Sequence, residues 1–69
     1  MRIIRLKHSL LFIKISPKYD IVNCYFIYFF GWFQYKEEVQ EFELEKISLS
    51  QIVTFYKILA KDFDRKYRV

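Results

Sequence analysis

Apolar and polar residues alternate along this chain in two different rhythms, and the switch between them divides it. In residues 2–7, RIIRLK, Ile4 and Leu6 fall on one side and Arg5 and Lys7 on the other. That is the two-residue period of a strand. Residues 10–15, LLFIKI, form a second apolar run. The two runs are either one strand bent around His8 and Ser9 or the arms of a short hairpin. Ser16, Pro17, Lys18, Tyr19 and Asp20 read as a turn, with serine at its first position and proline setting φ at its second. From Ile21 the chain carries no charge until after Phe33. Within residues 25–35, YFIYFFGWFQY, eight of eleven side chains are aromatic, more than half of the fifteen in the chain. Aromatic and β-branched residues suit a pleated surface, and a strand apolar on both sides belongs inside a sheet or is covered twice. The isolated Gly31 marks a bulge or a bend in that strand.

The next segment, KEEVQEFELEKI, alternates Phe42 and Leu44 with Glu41, Glu43 and Glu45. Its glutamates and lysines favour helix by intrinsic propensity. Tyr35, Val39, Phe42 and Lys46 also stand near helical spacing, whereas Leu44 and Ile47 do not fit that stripe. A half-buried strand with an acidic outer face is the better reading, joined to the aromatic strand by a turn near residues 36–38. The rhythm then changes. Ser48 and Gln51 have the spacing of a capping box, and Ile47 and Ile52 that of a hydrophobic staple. Ile52, Phe55, Tyr56, Leu59 and Phe63 follow the period of an amphipathic helix, with basic residues in its last turns where they complement the dipole. The pattern predicts one α+β domain over residues 1–69. It is a small antiparallel sheet of three or four strands, about residues 2–15, 21–34 and 39–46. One C-terminal amphipathic helix, about residues 49–67, packs on a face.

Size narrows the picture further. A chain of 69 residues buries only roughly 60% of the surface it exposes when unfolded. Small scaffolds therefore lean on disulfides, metals or oligomerisation. Cys24 is the single cysteine and His8 the single histidine, so neither an internal disulfide nor a zinc cluster is on offer. Stability has to come from apolar burial or from a partner. A hydrophobic fraction of 54% with one glycine and one proline argues for a folded chain. The uncharged stretch from Ile21 to Phe33 is too short for a membrane span, which needs about 20 apolar residues. The apolar run that begins at Leu10 stops at Lys14, with no small-residue cleavage site after it. Together with a lone thiol, this reads as a cytoplasmic protein.

Catalysis finds little to work with. His8 and Ser9 are neighbours on a strand pattern and point to opposite faces. Cys24 stands among apolar residues, where a buried inert thiol is the ordinary outcome. Glutamates two apart on a strand are roughly 7 Å apart, the spacing of a solvated face more than of a chelate. The reading is a non-enzyme with no cofactor and no metal. Charge is more informative. Residues 1–18 carry five basic and no acidic side chains, residues 19–47 a net −4, and residues 48–69 a net +3.

Interfaces are enriched in Tyr, Trp, Phe and Arg. The expected function is thus a protein-interaction module, of the kind represented by small phage or mobile-element inhibitors or by a small subunit of a larger assembly. Trp32, Phe33 and Tyr35 are its candidate anchors and Glu41, Glu43 and Glu45 its charged contacts, with a protein partner or a homodimer on the other side. The alternative is nucleic-acid binding through Lys57, Lys61, Arg65 and Arg68, a basic stripe opposite the apolar one. No RNP-type signature supports it, because Gly31, Trp32 and Phe33 lack the flanking basic residue and second small residue. A membrane-peripheral peptide is the third reading.

Overall fold

A computed structural model describes residues 1–30 and 33–68, with side chains at all of these except residues 33–37. Four strands and one helix follow in order: β1 (Arg2–Arg5), β2 (Ser9–Ser16), β3 (Ile21–Phe30), β4 (Phe33–Glu43) and α1 (Leu49–Tyr67). The strands lie side by side as β1-β2-β3-β4, each antiparallel to its neighbour. The α+β architecture with a C-terminal helix is as the sequence pattern predicts. The first strand region is a hairpin and not one bent strand. Leu6 N donates to Ser9 O at 2.9 Å across its turn, and Phe29 N to His8 O at 2.9 Å ties that turn to β3.

The turn after β2 is where Ser16 and Pro17 place it, with Tyr19 N donating to Ser16 O at 3.2 Å. Asp20 takes φ 52°, a left-handed conformation that aspartate tolerates better than most residues. Its carbonyl accepts from Leu44 N at 2.8 Å and so pins the far end of β4. The predicted turn near residues 36–38 is not one. Those residues sit inside β4, paired with Tyr28, Ile27 and Phe26 of β3. Their charge reflects an edge strand, where lysines and glutamates discourage further pairing, and not a reversal of the chain. Gly31 lies outside the described residues. The irregularity in the β3–β4 ladder falls between Tyr28 and Phe29, where Lys36 and Gln34 are the successive partners and Tyr35 is the extra residue.

Helix α1 begins as the sequence specifies. Ser48 N donates to Gln51 Oε1 at 2.9 Å, and Gln51 N donates to Ser48 Oγ at 3.2 Å. Its buried face is Ile52, Tyr56, Ala60 and Phe63. The sequence stripe differs from this at three positions. Phe55 is largely exposed, Leu59 is half-buried, and Ala60, which the stripe omits, is in the core. Leu49, Val53, Leu59 and Tyr67 pack beside that face, and Ala60 sits in the core among the large rings. Phe26 stacks on Tyr56 at 5.4 Å, and Tyr28 meets Phe63 edge-on at 5.4 Å. Leu11 and Ile13 of β2 and Val22 and Cys24 of β3 complete the core.

Candidate functional site

One helix covers one face of the sheet, and alternation sends the other side chains of each strand to the opposite face. In β3, Val22, Cys24, Phe26 and Tyr28 are buried under α1, while Tyr25, Ile27 and Phe29 are half-buried on the open side. The register carries that side across the sheet. Ile3 pairs with Phe12, Phe12 with Tyr25, and Tyr25 with Val39, so four apolar side chains from four strands form one row. Ile3 is 60% and Val39 66% exposed. The Phe12 and Tyr25 rings touch at 5.9 Å. Leu10 and Ile27 form a second apolar pair beside the row. A depression of about 140 Å³ opens between Phe12, Lys14, Asn23, Tyr25 and Val39. Lys14 pairs with Asn23, and Asn23 with Glu41, so the row is bordered by a basic group near one edge and an acidic one at the other. Glu43, opposite Ile21, extends the acidic border.

The predicted site residues divide accordingly. Trp32 lies outside the described residues. Phe33 and Tyr35 belong to β4, Phe33 opposite Phe30 and Tyr35 at the ladder irregularity. Glu41 and Glu43 are exposed on β4, while Glu45 is exposed in the turn that follows it. The three glutamates therefore do not form one continuous strand row. Residues 41 and 43 do share the open face with Val39. The open-face residues Ile3, Phe12, Tyr25 and Val39 are the ones the sequence pattern did not single out.

The basic stripe of α1 also divides. Lys57 and Lys61 are exposed and no described acidic side chain pairs with them. Arg65 pairs with Asp62 at 3.6 Å. Arg68 turns inward, its Nε donating to Tyr28 Oη at 2.9 Å and its Nη2 to the Phe29 carbonyl. Tyr28 Oη in turn donates to Asp64 Oδ1 at 2.6 Å. Burial and the bond to Asp64 raise the Tyr28 pKa, and Arg68 offsets part of the rise. Arg68 thus fastens the helix end to β3.

The remaining reactive groups are interior. Cys24 is a free thiol, 1% exposed, and burial pushes its pKa up, partly offset by the neighbouring Tyr56 hydroxyl. Tyr56 Oη is buried and makes no geometrically sound hydrogen bond among the described residues, with the Cys24 thiol as its polar neighbour. Burial first, then Cys24 and Glu38, hold that phenol strongly protonated. His8 sits in the β1–β2 turn. Among the described residues no three His, Cys, Asp or Glu side chains gather as a metal site. No helix among them is long and apolar enough to cross a membrane. Compared with known proteins, no family model matches the chain, and no curated protein or solved structure matches it.

Proposed function

We propose that this protein is a non-catalytic interaction module whose open sheet face docks on a protein partner. The observation that carries this reading is the row Ile3–Phe12–Tyr25–Val39, which crosses all four strands with no covering element among the described residues. Four strands about 4.8 Å apart and about eight residues long present a face of about 500 Å². The largest exposed apolar patch of a monomer is often functional, and here it is the row at the centre of that face. A partner covering this face would bury about 1,000 Å² in total, the lower limit for a specific contact. The depression beside Phe12 and Val39 has room for one inserted apolar side chain, the arrangement that concentrates binding energy in an interface. Glu41 and Glu43 at its border favour a partner with basic side chains beside its apolar contact. Such a module acts either as an inhibitor that occludes the partner's surface or as a small subunit seated in an assembly.

The test uses substitutions at exposed positions, which leave the core intact. Immobilised protein should retain a partner, or self-associate by light scattering, and the pair Ile3→Glu with Val39→Arg should abolish either. Ile58→Glu on the outer helix face should change neither. Retention unaffected by the open-face pair, or a strict monomer that retains nothing, would refute the reading.

A further inference from the structure

We infer that the β1–β2 turn and helix α1 together form a binding site for phosphate groups, independent of the open sheet face. Leu6, Lys7 and His8 of the turn face Lys57, Ala60 and Lys61 of α1 across a groove of about 280 Å³. A second cleft of about 330 Å³ shares the same turn and is lined among others by Arg5, Lys7, His8, Ser9 and Arg68. The two share Lys7, so an anion in the first groove meets Lys7, Lys57 and Lys61, while Arg5 and Arg68 line the second. Among the described residues the one carboxylate lining either cleft is Asp64. It is already engaged by Tyr28 Oη at 2.6 Å and by Arg68 Nε at 3.7 Å. Among the described residues no acidic group pairs with Lys7, Lys57 or Lys61. Without counting His8, the charges lining the two clefts come to the +4 of the entire chain.

Gathering like charges costs stability, and Lys57 and Lys61, four apart on a helix, repel directly. A bound polyanion reverses that cost. The chemistry selects phosphate over a single carboxylate. Three unpaired lysines converge as point charges around a multiply charged group, which is how lysine serves phosphate. Ser9 is among the residues that line the second cleft, and its hydroxyl is buried with no hydrogen bond among the described residues. The volume fits a phosphate or a diphosphate and leaves any attached nucleoside or further chain outside.

Two probes distinguish the sources of that phosphate: inorganic pyrophosphate and a single-stranded oligodeoxynucleotide, each titrated into the isotope-labelled full chain by NMR. Saturable amide shifts should centre on residues 6–9 and 57–64, with pyrophosphate binding at or below about 1 mM. The double substitution Lys57→Glu with Lys61→Glu should weaken binding at least about tenfold for a loss of this many charge contacts. Its circular dichroism should remain that of the parent, and Lys14→Ala on the open face should bind as the parent does. If the oligonucleotide binds more tightly, the phosphates belong to a strand. Three contacts then predict an about 20-fold loss between 50 and 200 mM salt. If pyrophosphate binds more tightly, they belong to a small phosphorylated ligand. Absence of saturable shifts with both probes overturns the site, as do shifts spread evenly over Lys14 and Lys18.

Discussion

Two tyrosines of the core show how much a single hydroxyl decides. Tyr28 and Tyr56 are both fully buried and both pack against rings of the opposite layer. Tyr28 Oη reaches the rim, where Asp64 and Arg68 satisfy it. Tyr56 Oη stays inside with no hydrogen bond among the described residues. A hydrogen bond to a charged group is worth about 1.5–3 kcal/mol, less where the partners are partly solvated, whereas a buried unsatisfied hydroxyl costs about 1–3 kcal/mol. Tyr28→Phe should therefore lower the urea midpoint by the equivalent of about 1–2 kcal/mol. Tyr56→Phe should leave it within about 0.5 kcal/mol or raise it. A large loss for Tyr56→Phe would mean that its hydroxyl is satisfied after all. The sequence shows that tyrosine carries a polar tip in need of an outlet. Which tyrosine finds one depends on Asp64 and Arg68, 36 and 40 residues away from Tyr28.

Elements were legible where their signals are local. The capping box at Ser48 and Gln51 needs four consecutive residues and nothing else. Ser48→Ala should cost about 1 kcal/mol, seen as a drop of about 4–8 °C in thermal midpoint by circular dichroism. An unchanged midpoint would mean that the first turn is held by packing alone. The turn at Ser16 and Pro17 was legible for the same reason. The division between β3 and β4 was not. Lysine and two glutamates at residues 36–38 look like a reversal of the chain, but they belong to an edge strand, which tolerates charge for a different reason. The helix stripe was legible in period and at Ile52, Tyr56 and Phe63, but not at its margin, where Phe55 and Ala60 exchange places. A hydrophobicity pattern weights Phe55 above Ala60, and the sheet, being covered with large rings, accepts the smaller side chain.

At the scale of the whole molecule the two sheet faces differ in kind. Leu11, under the helix, is 0% exposed, and Leu11→Ala should cost about 2–5 kcal/mol. A core of this size supplies only about 3–5 kcal/mol in total, so that variant should be largely unfolded in water. Ile3→Ala, on the open face, should stay within about 0.5 kcal/mol of the parent. Comparable denaturation midpoints for the two would mean that the open face is not open. The candidate site was only partly legible in the sequence. Glu41 and Glu43 were, because charge alternating along one strand is visible. The row of Ile3, Phe12, Tyr25 and Val39 was not, because its members are brought together by the register of three strand pairs.

The simple order β1-β2-β3-β4 has a consequence in time. Each strand pairs with the one synthesised just before it, and the first two connections, residues 6–8 and 17–20, are only a few residues long. Closing such short loops sacrifices little chain freedom, so hairpins can assemble one after another like a folding rule. The far ends of the β3–β4 ladder and the docking of α1, with its Arg68 fastening, reach further back along the chain. Mixed α/β domains fold at rates between those of helical bundles and of all-β barrels. Pairing each strand with its predecessor limits how long the aromatic rings of β3 stay open to other chains, a guard against clumping.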